Sequence, residues 1–379
     1  MEVTEYEQVD RHGVLAAFLA ACLFPCMAIT DGAETGDSAS AEASEESRSI
    51  VVLTDQPMTR SNGYGDDVRF QSTFESISPE DIVVIDGLWI ENQDQNTVYG
   101  DVKALVDVGN PVLLAADSYD AISTDRLGYS TGFSSSADFY GIMVDPVSGT
   151  TYCYSVSDSD DTEAFETALQ WVDDCKSETV LARASNSVTA PVLFAVTESR
   201  DSFGTTVAES KHTKYTIDDN TALIMTEYNY SADPDTENSI WDYSISVADM
   251  EIRCDHLDSD LLDHGPTSSS SETYVVDIFA EDEESGVSAS GSWSYTMKDS
   301  ELEDKSRNEI FDIFHEIDEH GDDKLSTKVM KPGTISIATK GNNPYLYHET
   351  EYYNACFYKD RVALDKYVDC DSDLIVSII

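Results

Sequence analysis

Positive charge is what this chain lacks most. Its 22 lysines and arginines face 74 aspartates and glutamates, for a formal net charge of −52. Phosphate binding needs clustered Lys and Arg, so a nucleic-acid partner is excluded, and so is adhesion to an anionic membrane surface by charge alone. Histidine is scarce too. None lies between His12 and His212, and neither Cys nor His occurs from Ser49 to Tyr152. That removes most nucleophile–base pairs from the first half of the chain. A glycine-rich phosphate loop is missing: Asn62-Gly63-Tyr64-Gly65 has neither GxGxxG spacing nor a following Lys-Ser/Thr. Among the cysteines no CxxC occurs beyond the N-terminal region, which speaks against a cysteine-spaced zinc site.

What is present describes a folded protein under an acidic surface. Hydrophobic residues make up 41% and the charge is spread along the whole chain, unlike a disordered acidic tail. Such a composition resembles proteins of salt-loving archaea. Self-repulsion of this size is screened only at high salt, where the Debye length falls to about 3 Å. The melting temperature is therefore expected to drop as KCl is lowered from molar levels to about 0.1 M; a flat or rising melting temperature on dilution would contradict this.

The one long apolar run, VLAAFLAACLFPCMAI over residues 14–29, is short for a membrane span and long enough for the core of a signal segment. Residues 1–33 are expected to be a signal peptide or an N-terminal anchor, in which Arg11 and His12 precede the apolar run but Glu2, Glu5, Glu7 and Asp10 do so too. Leu19-Ala20-Ala21-Cys22 resembles a lipoprotein cleavage box, which implies lipidation at Cys22. Residues 34–48, ETGDSASAEASEESR, form an acidic Ser/Ala/Glu spacer. An extracellular or cell-surface location follows, and with it disulfides: Cys153 with Cys175, and Cys356 with Cys370, each worth about 3 kcal/mol, leaving Cys254 single. Asn229-Tyr230-Ser231 is a glycosylation acceptor in that setting.

Residues 49–200 are predicted to form an α/β domain with a mostly parallel sheet. SIVVLT, DIVVI and VLLAA are short buried-strand runs ending on Asp55, Asp86 and Asp117. Val98, Val102, Leu105 and Val106 define an amphipathic helix closed by Gly109. Further helices are expected at Phe70–Ile77 and Thr162–Cys175. The layout DIVVIDGLW, helix, VGNPVLLAAD looks like an amidotransferase-like or flavodoxin-like sheet, without the Cys-between-glycines elbow and later His that such an enzyme uses. In open α/β sheets ligands bind beyond the strands' carboxyl ends, so Asp55, Asp86 and Asp117 are candidate ligands for a divalent cation, Ca²⁺ or Mg²⁺. Turn chemistry explains the same three aspartates equally well.

Residues 211–379 are predicted to be a mainly antiparallel, sandwich-like β domain with one helix. Val287, Ala289, Gly291, Trp293, Tyr295 and Met297 alternate with serines and a threonine, giving a strand with one apolar and one hydroxyl face. With Tyr274–Ala280 it makes a hairpin over 273–297. The strand-rich region and Ser-rich hairpin, residues 222–300, resemble pore-forming proteins of the leukocidin and haemolysin class. The acidic tip, Glu281 to Glu284, departs from what a membrane-crossing tip favours. Ser306-Arg307-Asn308-Glu309 looks like a capping box before Ile310, Ile313, Phe314 and Ile317, and predicts a helix. The following Asp318–Thr327 resembles an EF-hand loop with Asp318 and Asp322 as ligands, but has His320 at its third position and Val329 at its twelfth. His256, His264, His315 and His320 are the remaining candidates for metal ligation or general-base work, and equally for plain surface positions.

These observations point to a non-enzymatic secreted or cell-surface protein that interacts with membranes in the manner of a pore former. The rival is an extracellular hydrolase or transferase using the aspartates at the sheet's carboxyl edge.

Overall fold

The computed structural model describes residues 49–55, 68–91, 93–115, 133–135, 137, 139–157, 161–184, 193–235, 245–256, 259–270, 272–318, 325–340, 347–359 and 364–376. The signal segment, Cys22, the spacer, Asp117, His320 and Asp322 lie outside these residues.

The described residues form three sheets, with strands numbered along the chain. The largest has twelve strands. Its first edge is parallel: β2 (Val68–Gln71), β1 (Ile50–Leu53), β3 (Ile82–Asp86) and β4 (Val112–Ala115) lie side by side. Next come β6 (Phe139–Val144), β7 (Thr151–Ser157), β8 (Leu193–Asp201), β9 (Gly204–Thr216), β10 (Thr221–Pro234), β19 (Gly333–Thr339) and β12 (Ser259–Gly265), with β18 (Lys328–Met330) also on β10. In this stretch only β7 and β8 run parallel. The second sheet is antiparallel, in the order β16 (Ser300–Asp304), β17 (Ile310–Ile317), β11 (Ile245–His256), β20 (Tyr347–Lys359), β21 (Leu364–Val376) and β5 (Phe133–Ser135). The third holds β13 (Ser269–Ser270), β14 (Thr273–Asp282) and β15 (Val287–Thr296).

The inner parallel strands β1, β3 and β4 are almost wholly apolar because both of their faces are covered, whereas the edge strand β2, VRFQ, is not. Val51, Leu53, Val83 and Ile85 meet Val98, Val102 and Val106 of helix α2 (Gln95–Asp107), which follows the short α1 (Gly87–Glu91). On the other face Val52, Val84 and Leu113 meet Phe165, Ala168, Leu169 and Val172 of α3 (Asp161–Ala184). Gly109 ends α2 with φ +95° and donates its N–H to Val106 O at 2.9 Å, a left-handed stop that favours glycine. Further along the large sheet, alternate residues of β10 face the second sheet. Tyr228 stacks on Phe311, and Tyr230 packs against Tyr353, at ring separations of 5.5 and 5.3 Å.

The predicted fold class is therefore corrected. The strands and helix expected at Ser49–Ala116 exist, but they belong to no separate α/β module. Strands β7 and β8 carry the same sheet on into β9, β10, β19 and β12, and the molecule is mainly β. The helix expected at Phe70–Ile77 is instead β2 followed by turns. The helix expected after Ser306 is strand β17, whose buried residues Phe311, Ile313, His315 and Ile317 alternate. Ser306 caps no helix. Its Oγ accepts the Asp312 N–H at 3.0 Å, within the turn that joins β16 to β17.

Neither predicted disulfide is present. Cys153, Cys175 and Cys356 are buried, and none of them is in a disulfide. Alternation along β7 turns Tyr152, Tyr154 and Val156 toward α3, and Cys153 to the opposite face, away from Cys175. Cys356 pairs in register with Tyr367, and Cys370 with Tyr353, so the two cysteines stand three positions apart along the ladder. A disulfide cannot reach across that offset.

Candidate functional site

The hairpin of β14 and β15 is built as the alternation predicts. Tyr274, Val276, Ile278 and Ala280 are buried on one strand, Ala289 and Tyr295 on the other, with Val287 and Trp293 half-buried beside them. Serines 288, 290, 292 and 294 face solvent with Thr296 and Asp277. Val275 and Phe279 interrupt this wet face and are exposed to 52% and 58%. Each strand has 10 residues, and Gly286 at φ +73° closes the acidic turn between them.

Among the described residues, no strand of this small sheet pairs with a strand of the two larger ones. Side chains dock it instead. Tyr274 stacks on Tyr295 at 5.2 Å and meets the His315 ring edge-on at 4.6 Å. Tyr295 Oη and His315 Nε2 share a hydrogen bond of 2.8 Å, and Tyr274 Oη donates to Ser300 O at 2.8 Å. Trp293 donates its indole N–H to Lys331 O at 2.7 Å and lies flush on Gly333, where a Cβ would meet the ring at 2.5 Å. Asp263 of β12 accepts the Phe279 N–H at 2.7 Å. Burial pushes His315 down to about 4.

Trp293 also lines a groove of about 770 Å³ along β7–β10, together with Gln170, Trp171 and Asp174 of α3. Tyr154 stacks on Trp171 at 5.4 Å, and Lys211 pairs with Glu227 at 2.6 Å on the floor. The predicted glycosylation residue Asn229 sits here in mid-strand and donates to Glu209 Oε2 at 2.6 Å.

On the opposite face of the same strands lies a polar cluster that sequence reasoning missed. His212 of β9 meets Glu349 and Glu351 of β20, and all three are buried. His212 Nε2 is 3.5 Å from Glu351 Oε1, and its Nδ1 is 4.0 Å from Glu349 Oε2. His256 Nδ1 is 3.8 Å from the same Glu349 oxygen. Burial, opposed by His212 and reinforced by Glu351, raises Glu349 to about 7. Burial, helped by His212, lowers His256 to about 4. The signal was the strand YLYHETEYY, in which Glu349, Glu351 and Tyr353 share one face; acids at alternate positions read as a solvent face until the covering sheet is known.

The other described site residues lie outside this cluster. Asp55 and Asp86 end the neighbouring strands β1 and β3; Gln93 donates to Asp55 at 3.5 Å and Thr54 to Asp86 at 3.0 Å. Asp318 follows strand β17 directly, so the helix that an EF-hand requires before its loop is absent and that resemblance fails. His264 pairs with Asp304 at 3.1 Å near the surface. Among the predicted histidines, His256 joins the buried cluster and His315 the hairpin's docking face.

No known family model matches the chain, and no curated protein matches it in sequence. Among solved structures it is similar to one described as a pore forming protein, at 8% identity and a TM-score of 0.30 over 49% of this chain and 86% of that one. Clostridium perfringens delta-toxin gives 9% identity and a TM-score of 0.30 over 47% and 82%. The Clostridium perfringens NetB toxin in its membrane-inserted form gives 7% and 0.23 over 49% and 91%.

Proposed function

We propose that the protein works outside the cell as a membrane-inserting, pore-former-like protein whose hairpin, β14 with β15, undocks and crosses a bilayer. One observation carries this: a two-faced hairpin, 10 residues to a strand, that among the described residues shares no ladder with the sheets it rests on. A tilted strand of about 9–11 residues spans the hydrocarbon core, and alternate residues then face lipid and lumen. Tyr274, Val276, Ile278, Ala280, Val287, Ala289, Trp293 and Tyr295 supply the lipid side, and the serine row with Asp277 the wet side. Release breaks side-chain contacts but no backbone ladder with the larger sheets. A lone hairpin leaves its edges unpaired in lipid, so insertion needs several copies closing a barrel. The acidic tip must pass through the membrane and is the main cost. The acidic surface suits action in concentrated salt, as in a salt-adapted organism.

A disulfide clamp tests the proposal. A Cβ at Gly265 of β12 would lie 3.4 Å from Val276 Cα of β14, close enough to bridge. Gly265→Cys with Val276→Cys is expected to abolish dye release from phosphatidylcholine vesicles in molar salt, and reduction to restore it. Release unaffected by the oxidised clamp, or no release by the unclamped protein from vesicles of any composition, would refute it.

A further inference from the structure

The register of β11 against β20 sets Cys254 opposite Glu351 and His256 opposite Glu349. Four chemically competent side chains thus form a two-by-two block on one face of the second sheet. His212 reaches it from the first sheet. Cys254 and His212 are exposed to 0%, Glu349 to 0%, and His256 and Glu351 to 1%.

Neighbouring hydroxyls aim the carboxylates. Tyr228 Oη donates to Glu349 Oε1 at 2.5 Å, which turns Oε2 toward His212 and His256. Tyr353 Oη donates to Glu351 Oε2 at 2.9 Å, which turns Oε1 toward His212 Nε2. Thr226 Oγ1 lies 3.1 Å from His212 Nδ1 and fixes the ring. Outer hydrogen bonds of this kind orient the ligands of metal sites.

We propose that His212, Glu349 and Glu351, completed by Cys254 or His256, bind one divalent transition-metal ion of the zinc class between the two sheets. The donor atoms of His212, Glu349 and Glu351 lie within 4.8 Å of one another. Ligands at about 2.0–2.1 Å around a tetrahedral centre stand about 3.3 Å apart, so closure needs shifts of an ångström or so. Imidazole and thiolate donors exclude a Ca²⁺ or Mg²⁺ cage, which is built of oxygens. Two carboxylates buried side by side repel each other, and a divalent cation offsets that repulsion at its source. The site is closed, so the ion staples β9 to β20 and has no route to substrate. Its ligands come from three strands far apart in sequence, which is why no spacing motif announces it.

The test is metal content and metal-linked stability of the full chain. Purified without chelator and dialysed in molar salt, the protein is expected to hold about one zinc per chain and to lose several degrees of melting temperature on chelation. Co²⁺ added to the stripped protein is expected to give visible bands of tetrahedral intensity, with a thiolate charge-transfer band if Cys254 is a ligand. Glu351→Gln, nearly equal in shape, is expected to lower Zn²⁺ affinity at least tenfold. Should that variant not fold, titration of the stripped wild type with Zn²⁺ and Co²⁺ decides alone. Stripped wild type that takes up neither ion, and melts at the same temperature with or without Zn²⁺, overturns the proposal.

Discussion

Lowering the pH from about 7 to about 4 is expected to weaken hairpin docking by about 3 kcal/mol through His315, a shift of more than a hundredfold toward the undocked form. His315 is buried against Tyr274 and Tyr295, and burial lowers its pKa from 6.5 to about 4. Once the hairpin leaves, the ring meets water and takes up its proton near the ordinary value. The undocked form therefore binds more protons between the two values. Docking is fully stable above about 6.5, loses stability as pH falls toward about 4, and changes no further below that on this residue's account. The acidic tip acts in the same direction, since protonated carboxyls cross lipid at lower cost. Hydrogen exchange of amides 273–297, corrected for intrinsic rates, measures the effect. His315→Gln is expected to flatten the profile. An equal pH dependence in that variant, or none in the wild type, would show that His315 is not the group responsible.

Tyr274→Ala is expected to cost about 3–5 kcal/mol of docking stability, and Val275→Ala, one residue on, less than about 0.5. Tyr274 is fully buried, stacked on Tyr295 and edge-on to His315, while Val275 is exposed to 52%. Truncating Tyr274 leaves a cavity where three rings met and orphans its bond to Ser300 O. Denaturant melts give the two costs. Dye release at neutral pH gives their consequence: Tyr274→Ala should release faster than wild type, and Val275→Ala at the wild-type rate. Equal effects at the two positions would mean that the hairpin's inner face does not hold it down.

The hairpin was legible because its two strands need nothing beyond their own sequence. Strict period-2 alternation over Val287–Thr296, with a Gly-containing acidic turn, admits one register and one buried face. Helix α2 was legible for the corresponding reason at period 3.6, with Gly109 as its stop. IFDIFHEI was misread because it satisfies both periods. Ile310, Ile313, Phe314 and Ile317 suit a helix, while Phe311, Ile313, His315 and Ile317 suit a strand, and pairing with β11 and β16 decides. The continuity of the large sheet from β8 into β9 rests on backbone pairing, which no side-chain pattern encodes. The cysteine pairs failed on facing and register: sequence proximity says nothing about which side of a strand a thiol occupies. The His212–Glu349–Glu351 cluster was invisible because its members lie on strands distant in the chain, and an acidic alternation becomes a core feature only when another sheet covers it.

The central claim is that the hairpin's docked face becomes its lipid face, and a fluorophore scan tests it most directly. Single cysteines at each position from 287 to 296, labelled with an environment-sensitive dye, are compared before and after addition to phosphatidylcholine vesicles in molar salt. The account predicts that odd positions brighten and are quenched by lipid-borne quenchers, while even positions stay accessible to aqueous quenchers. Spectra that stay unchanged along the strand on adding vesicles, or that change without a two-residue period, would contradict it.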